Sequence, residues 1–540
     1  MKSDIAIAQE TKLRPILDLA ITAGLSPDEL IPYGHTIAKI PVSLLDKMSD
    51  KPDGKLILVT AMTPPKIGAG KTTTTIGLTQ ALNRLPGKRA VAAIREPSLG
   101  PCMGMKGGAA GGGYSQVLPM EDINLHFTGD IHAVTMAHNL CSAVLDNHIH
   151  QQAEPEIHPR RVAWKRVLDM NDRSLRNIIV GLLDGGINGV MREDGFEITA
   201  ASEIMAVLCL ATDISDLKKR IGRIIVGYDS LRRAVTIDEI GVSGAMTALL
   251  KNAINPNLVQ TIEGGLAIIH GGPFANIAHG CNSVIATKMA LKLGDYAVTE
   301  AGFGADLGAE KFFNIKCRAA GLHPSAAVVV VPASAYQLHG IDNLEKHVDN
   351  LRGFGVEAAV SINQFVGDDP AMLEGIKTDC KERGIEAILC DYREKGSDGG
   401  MELAERIEQL CNGPTPELKF TYELDLPIKQ KIETIAKTIY GADGVEFSAA
   451  AKKQIQRIKD LGYSNLPICM AKTPMSLTDN PTITGCPKDF DITLTSAKVS
   501  AGAGFIVAYT GKVMTMPGLP KEPSALNIDI DRDGTISGLF

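Results

Sequence analysis

Runs of apolar residues alternate along this 540-residue chain with segments whose apolar positions recur every three or four residues. The alternation is clearest between residues 326 and 411, where strands are predicted at 326–331, 356–365 and 385–390, each followed by a helix. Alternating strands and helices are typical of a mostly parallel, doubly wound sheet. The chain is therefore predicted to be an α/β protein with such a sheet and with further α/β domains.

The same pattern predicts a strand at residues 56–62, a glycine-containing turn, and a helix at 72–85. Converging backbone N–H groups and the lysine of such a turn bind nucleotide phosphates, and the hydroxyl that follows binds the accompanying Mg²⁺. Pro65 stands where the full P-loop motif has its first glycine, so a purely structural turn is the alternative. The predicted ATP-binding residues are Gly68, Ala69, Gly70, Lys71, Thr72 and Thr73, with Thr72 also predicted to bind the metal.

A second strand, predicted at residues 89–95, closes a βαβ unit and ends at Arg95. Ligands of open α/β sheets bind beyond the carboxyl ends of the strands. A guanidinium group there can hold a carboxylate or an acyl phosphate through two parallel hydrogen bonds. Arg95 is therefore a candidate catalytic residue, and a surface ion pair with Glu96 is the alternative. The glycine-rich stretch that follows, residues 96–114, is predicted to approach a ligand, with a disordered linker as the alternative.

Later strand ends carry further candidates. Glu300 and Asp306 are candidates for orienting Mg²⁺ or its water ligands, and Phe303, between two glycines, is a candidate stacking surface. For these three residues, carboxylates in water and a buried phenyl ring are the alternative.

Asp130 and His132 are candidates for the wall of an active site, with a core histidine as the alternative.

Composition excludes several classes of function. A net charge of −7 without long like-charge blocks gives no basic face for nucleic acid. No run of eighteen apolar residues is available to cross a membrane, and the first ten residues lack a signal-peptide pattern. Ten cysteines without a C-x-x-C pair are typical of reduced thiols rather than of disulfides or a zinc site. These features together predict a cytoplasmic enzyme.

The length predicts several domains. The interpretation is a discontinuous nucleotide-binding domain at 1–113 and 266–355, an inserted α/β domain at 114–265, and a C-terminal α/β domain at 356–540. Within the inserted segment, apolar residues at three- and four-residue spacing predict one amphipathic helix across 204–221.

Four longer motifs identify a resemblance. They are E-P-S-L-G-P at residues 96–101, M-E-D-I-N-L-H-F-T-G-D at 120–130, H-G-G-P-F-A-N-I-A-H-G at 270–280 and M-P-G-L-P-K at 516–521. Together they resemble the formate–tetrahydrofolate ligase family, also called 10-formyltetrahydrofolate synthetase. The resemblance extends from the glycine turn to the last residues of the chain.

The resemblance implies ATP-dependent ligation of formate to tetrahydrofolate, which gives 10-formyltetrahydrofolate, ADP and phosphate through formyl phosphate. It implies that Lys71, Thr72 and the backbone amides of residues 68–70 bind the ATP phosphates, and that Arg95 binds formate and then formyl phosphate. It also implies Mg²⁺, activation by K⁺ or NH₄⁺, and a homotetramer.

For the folate, the resemblance implies binding by Phe303, Phe365 and Tyr392. The family has a tryptophan in the stretch that corresponds to residues 391–396, where this chain offers Tyr392 and Arg393. Pro474 and Met475 likewise replace a glutamine and a tyrosine that lie near the nucleotide in the family.

Two other functions are considered. Lys66 resembles the extra lysine of dimeric ATPases, which suggests a nucleotide-dependent switch that assembles with a protein partner. A folate-binding relative that has lost catalysis is the other possibility, and the presence of Lys71 and Arg95 argues against it. Formate dependence of ATP consumption distinguishes the ligase from the switch.

Overall fold

A large central sheet organises the computed structural model, which describes residues 2–65, 68–104, 110–183, 187–414 and 417–540. The strands before residue 120 are β1 (Ile31–Tyr33), β2 (Ile37–Lys39), β3 (Lys55–Ala61), β4 (Ala90–Ile94), β5 (Gly111–Gly112) and β6 (Ser115–Leu118). Small peripheral sheets follow, formed by β7 (Arg166–Leu168), β8 (Ile178–Val180), β9 (Arg192–Asp194), β10 (Phe196–Ile198), β11 (Ile225–Tyr228) and β12 (Ala234–Thr236). The chain then returns to the central sheet with β13 (Asn257–Thr261), β14 (Leu266–Ile269), β15 (Tyr296–Glu300), β16 (Pro324–Pro332), β17 (Ala358–Asn363) and β18 (Ala387–Cys390).

The central sheet has twelve strands among the described residues. Ten of them lie in the order β1-β2-β13-β14-β4-β15-β3-β16-β17-β18, while β6 pairs with β13 and β5 with β6. Neighbouring strands from β14 through β18 are parallel, and the pairs at the β1 end are antiparallel. The predicted α/β class with a mostly parallel sheet is therefore confirmed.

Helices cover both faces of this sheet. In the first half of the chain they are α1 (Asp4–Glu10), α2 (Ile16–Thr22), α3 (Leu44–Lys47), α4 (Lys71–Arg84), α5 (Leu99–Met103), α6 (Met120–Asn124), α7 (Asp130–His150), α8 (Glu203–Leu210), α9 (Ile214–Gly222) and α10 (Ser243–Leu249). In the second half they are α11 (Val284–Leu293), α12 (Arg318–Ala320), α13 (Ala333–Gly353), α14 (Pro370–Glu382), α15 (Tyr392–Lys395), α16 (Met401–Cys411), α17 (Ile428–Ile435) and α18 (Ala449–Asp460). Two π-helical segments, Ala305–Ala309 and Phe312–Cys317, follow β15.

The C-terminal part carries smaller sheets. Its strands are β19 (Gly444–Phe447), β20 (Ile468–Ala471), β21 (Asp491–Leu494), β22 (Ser496–Ser500), β23 (Phe505–Tyr509), β24 (Asp529–Ile530) and β25 (Ile536–Ser537). Strand β23 lies between β20, to which it is parallel, and β22, to which it is antiparallel.

The two faces of β3 belong to different cores. Ile57 and Val59 pack in one buried cluster with Leu78 of α4. Leu56 lies on the other side, in a cluster that includes Phe312 of the second π-helical segment. The chain therefore leaves β3 toward one face of the sheet and leaves the neighbouring β15 toward the other. Where the connections of two neighbouring strands leave toward opposite faces, a crevice forms at the carboxyl ends of the strands. Ligands of α/β sheets bind in such a crevice.

The single helix predicted across residues 204–221 is wrong, because the structure has two helices there, α8 and α9. Asp213 separates them with an extended backbone, and its carboxylate accepts hydrogen bonds from the backbone N–H groups of Ser215 and Asp216. An aspartate in this position caps the second helix and competes with continuation of the first. The apolar spacing runs through both helices because both pack their inner faces into the same core.

The central sheet does not follow the predicted domain boundaries. Strands β6 and β13 come from the segment predicted as an insertion, and β17 and β18 come from the segment predicted as C-terminal, yet all four lie in the sheet that contains β3. Strand pairing is nonlocal, so the composition shifts used to place the boundaries carry no information about it. The division into three domains stays a prediction.

Candidate functional site

The glycine turn after β3 joins a strand to a helix, as predicted. Gly68 and Gly70 have positive φ angles of 103° and 76°, and α4 begins directly afterwards at Lys71. Glycine is required at position 70 for a second reason, because a side chain there would overlap the amide of Asn363 at the end of β17. Asn363 donates to the carbonyl of Ala69 at 3.3 Å and so supports the turn. Residues 66 and 67 lie outside the described residues, and with them the comparison of Lys66 with the dimeric ATPases.

Glu300 joins this turn to Arg95. The hydroxyl of Thr72 donates to Glu300 Oε2 at 2.9 Å, and Arg95 Nη2 donates to Glu300 Oε1 at 3.4 Å. The Glu300 side chain is 3% exposed, whereas that of Arg95 is 25% exposed. The buried carboxylate therefore holds the guanidinium beside the start of α4 and leaves part of it open to a ligand. The structure thus brings together the predicted phosphate-binding turn and the predicted formate-binding arginine.

Glu96 is not the partner of Arg95, which answers the alternative of a surface ion pair. Its side chain is buried, and its backbone N–H donates to the carbonyl of Gly271 at 2.9 Å. Burial, assisted by the nearby Asp130 carboxylate, raises the pKa of Glu96 well above its usual range. Glu96 Oε2 has no hydrogen-bond partner within the described residues.

A loop after β15 lies against the arginine. A side chain at Gly302 would overlap the methyl group of Ala275 and would lie 3.4 Å from Arg95 Nη1. The next residue, Phe303, has a φ angle of +61°, which is strained for any residue except glycine, and its side chain is half-buried. Strained backbone of this kind is concentrated at functional sites. The predicted stacking residue therefore stands directly beside the site of Arg95.

Asp306 fixes the same loop through a buried ion pair. Its carboxylate lies 3.2 Å from Lys472 Nζ, and both side chains are at most 1% exposed. His347 Nε2 lies 3.0 Å from the hydroxyl of Thr63, just before the glycine turn, and its ring also approaches Gly304. Burial lowers the pKa of His347 to about 4, so its ring is neutral. Asp306 is therefore engaged in a buried network that fixes the loop, and Glu300 is the predicted acidic residue that contacts the turn.

The predicted folate residues lie in different surroundings. The Phe365 side chain is 36% exposed, and its ring tip lies 3.4 Å from the place that a side chain at Gly70 would occupy. Tyr392 is fully buried and packs against Gly77 of α4 and Gly400. Its ring therefore has no face open to a pterin, and the structure does not bring it to the site.

The residue after Tyr392 is more accessible. Arg393 keeps about a third of its side chain exposed and pairs with Asp4 at 2.7 Å. Of the two candidates in the stretch that replaces the family's tryptophan, Arg393 is the one that reaches the surface.

Asp130 and His132 do not form one wall. Asp130 is buried and accepts from Lys39 Nζ at 2.7 and 2.8 Å and from Asn257 at 2.8 Å, which ties α7 to β2 and β13. His132 points outward and is exposed. The predicted pair therefore separates into a structural carboxylate and a surface histidine.

The whole chain matches one family. A family model described as formate–tetrahydrofolate ligase covers residues 2–540. The chain belongs to this family. As a formate–tetrahydrofolate ligase it is an ATP-dependent enzyme of one-carbon metabolism, with formate, ATP and tetrahydrofolate as substrates. Among the described residues, no helix is long and apolar enough to cross a membrane.

Three groups that complete the site of this ligase were missed from the sequence. Asn363 supports the glycine turn, Lys472 neutralises Asp306, and Lys311 donates from the buried side to the loop around Ala275. Asn363 lies near the end of the strand predicted at 356–365 and could have been found by its place at the same sheet edge. The two lysines give no local signal, because a lysine is ordinarily exposed and only the tertiary fold buries them.

Proposed function

We propose that this ligase forms 10-formyltetrahydrofolate, ADP and phosphate through formyl phosphate. The observation that carries the proposal is the link from Thr72 through Glu300 to Arg95. Glu300 holds both the phosphate-binding turn and the partly exposed guanidinium group of Arg95. This arrangement suits a reaction between a small carboxylic acid and the terminal phosphate of ATP.

Lys71 and the backbone amides of residues 68–70 bind the ATP phosphates in this proposal, and Arg95 binds formate. A formate oxygen attacks the γ-phosphorus, the bond to the ADP oxygen breaks, and formyl phosphate forms. Phosphoryl transfer depends mainly on positioning and on neutralising charge, which these groups supply. Formate is a poor electrophile until one of its oxygens becomes part of a phosphate leaving group.

In the second step, N10 of tetrahydrofolate attacks the formyl carbon. The carbon–oxygen bond to phosphate breaks, and the amine proton leaves with the phosphate. Arg95 is placed to stabilise both the developing oxyanion and the departing phosphate. One cationic group can therefore serve both steps without moving far from Glu300.

The residues fit the Mg²⁺ that the family implies. The Thr72 hydroxyl and the Glu300 carboxylate are oxygen donors in contact at the start of α4, and such donors are the ones Mg²⁺ prefers. Thr72 and Glu300 would hold the ion, and the bound ion would neutralise phosphate charge.

For the monovalent cation, K⁺ or NH₄⁺, we propose Glu96 as a donor. Glu96 is buried beside the Asp130 carboxylate, and its Oε2 has no partner within the described part of the chain. A cation bound there would favour the ionised form of the Glu96 carboxyl, which burial otherwise disfavours. The homotetramer is inferred from the family alone, and the cytoplasmic location is inferred from the reduced cysteines that the sequence predicts.

For the folate, we infer stacking of the pterin on Phe303, with Phe365 as a second apolar surface near the turn. Each stacked pair contributes about 1 kcal/mol beyond the burial of area. Arg393 rather than Tyr392 is the exposed group of the stretch that replaces the family's tryptophan, so a charged group of the folate is its expected partner.

The test is a reaction with the purified chain in which each substrate is omitted in turn. ADP, phosphate and the 10-formyl product are measured separately. The ligase requires all three substrates for 10-formyl product, and ATP consumption requires formate. ATP consumption that is equal without formate and tetrahydrofolate would instead support the nucleotide-dependent switch.

A further inference from the structure

A buried lysine lies behind the loop that faces Arg95. Lys311 is 0% exposed, and its Nζ donates to the backbone carbonyls of Ala275 at 2.7 Å and Asn276 at 3.1 Å. It forms no ion pair with any carboxylate of the described residues. Burying an ammonium group costs several kcal/mol when no opposite charge compensates it. The cost of burying Lys311 is therefore expected to be offset by its effect on the loop.

The carbonyls belong to a segment in contact with the reaction site. Ala275 packs its methyl group at Gly302, at the point that Arg95 Nη1 also approaches. The Gly302 N–H also donates to the carbonyl of Gly280 at 3.0 Å. The loop that contains Ala275 and Gly280 is therefore joined to the loop that contains Gly302 by a hydrogen bond as well as by the methyl contact. A shift of Ala275 would therefore disturb Gly302, which lies next to the Arg95 guanidinium.

The peptide geometry adds a second effect. In a trans peptide the N–H points opposite to the C=O. Drawing the Ala275 and Asn276 carbonyls toward Lys311 therefore turns the N–H groups of Asn276 and Ile277 away from it. Neither N–H donates to an acceptor within the described residues. Successive backbone N–H groups that point the same way attract anions.

An independent observation in the same loop also indicates a missing polar partner. His279 is fully buried, and neither ring nitrogen has a hydrogen-bond partner among the described residues. A neutral imidazole carries one N–H donor and one ring nitrogen with an acceptor lone pair. A buried polar ring without one is expected beside a ligand or its water, not in a closed core.

We propose that Lys311 is a positioning residue for formate activation. It holds the Ala275 and Asn276 carbonyls so that the loop stays packed at Gly302 beside Arg95, and it leaves the N–H groups of Asn276 and Ile277 available to an anionic ligand. The inference rests on the proposed function and adds to it the residue that sets the shape of the formate site.

The chain provides a matched control. Lys431 of α17 is also fully buried and donates to three backbone carbonyls, those of Leu424 at 3.1 Å, Ser464 at 2.6 Å and Leu466 at 2.7 Å. These acceptors lie in segments that contribute no residue to the site described above. Replacing Lys431 therefore removes a buried lysine clamp without touching the formate site.

The experiment compares Lys311→Met with Lys431→Met in the full-length protein. Both variants are expected to melt at lower temperature. Only Lys311→Met should raise the KM for formate at least about tenfold and lower kcat about 100-fold, the usual effect of losing an aligned donor. Its dissociation constant for ATP should stay within about twofold of the parent. Lys311→Gln, which keeps a neutral donor, should recover part of the lost kcat and serves as the second variant if Lys311→Met does not fold.

Equal kinetic behaviour of the Lys311 and Lys431 variants would overturn the proposal, and so would an equal loss of ATP binding and formate turnover in Lys311→Met. Failure of the proposed function looks different. In that case the parent protein itself would consume ATP without formate.

Discussion

The hydroxyl of Thr72 donates to the carboxylate of Glu300 at 2.9 Å, across a gap of 228 residues in the chain. This contact fixes the first turn of α4 to the end of β15, and the same carboxylate holds Arg95. The proposed nucleotide end and the proposed formate end of the site therefore share one anionic residue.

Glu300→Gln should lower kcat for formate-dependent ATP consumption by about 100-fold, because the amide is neutral and holds Arg95 and any bound metal less firmly. ATP should still bind, since the glycine turn is untouched. Steady-state kinetics at several Mg²⁺ concentrations would show a higher Mg²⁺ requirement in the variant. An unchanged kcat with an unchanged Mg²⁺ requirement would contradict this role.

Arg95→Ala should keep ATP binding yet lose formation of formyl phosphate, because the carboxylate of formate loses its guanidinium partner. Lys71→Ala should weaken both nucleotide binding and turnover, because Lys71 is the cation of the turn. Isothermal titration with ATP, together with detection of the acyl phosphate as its hydroxamate, separates the two effects. Parental rates in Arg95→Ala, or parental ATP affinity in Lys71→Ala, would remove the assigned roles.

Phe303→Ala and Phe303→Gly should both raise the KM for tetrahydrofolate about tenfold, since each loses the ring that is proposed to stack on the pterin. The two variants should differ in stability. Glycine accepts the φ angle of +61° without strain, so the glycine variant should be about 1 kcal/mol more stable than the alanine variant. Urea denaturation measures this difference, and equal stabilities would show that the backbone at 303 relaxes.

Lys472→Met should destabilise the protein by about 3–5 kcal/mol, because it leaves the buried Asp306 carboxylate without its counter-charge. The double variant with Asp306→Asn should recover most of that loss. Chemical denaturation of the two single variants and the double variant forms a double-mutant cycle. Additive losses would mean that the two residues do not stabilise each other.

His270 predicts how stability depends on pH. Burial lowers its pKa to about 4. The neutral ring donates from Nε2 to the Ala253 carbonyl at 2.6 Å, while the Ser283 hydroxyl lies 2.7 Å from Nδ1. As the pH falls from about 6.5 toward 4, the unfolded chain takes up a proton that the folded chain refuses, so the free energy of unfolding decreases.

The loss assigned to His270 amounts to at most about 3 kcal/mol over that window. His270→Gln should therefore show a shallower fall of stability between pH 6.5 and 4, measured by denaturation at a series of pH values. His132→Gln is the control, because it replaces an exposed histidine instead of a buried one. Parallel curves for the parent and His270→Gln would contradict the assignment.

The local parts of the fold were predictable from the sequence, and the contacts between distant parts were not. Strand β3, the glycine turn and α4 follow from apolar spacing and from glycine at positions 68 and 70, all within thirty residues of each other. The break between α8 and α9 was also readable, since Asp213 is a good helix cap. It was missed because the apolar spacing continues through the break.

Tyr392 shows why some site residues could not be placed. Whether an aromatic side chain stacks on a ligand or fills the core depends on what lies opposite it. Here the space is made by Gly77 and Gly400, which are distant from each other in sequence. The burial of Lys311 and Lys472 has the same origin. Only the order of the strands shows that Glu300 reaches both Thr72 and Arg95.

That strand order also constrains how the protein is made. Strand β15 lies between β3 and β4, yet it begins at Tyr296, 235 residues after β3 ends at Ala61. A chain emerging from the ribosome therefore exposes the unpaired edges of the apolar strands β3 and β4 long before β15, which lies between them, has been synthesised. Such late pairing is slow and leaves aggregation-prone surface exposed. The nascent ligase is therefore expected to depend on chaperones until residue 300 has emerged.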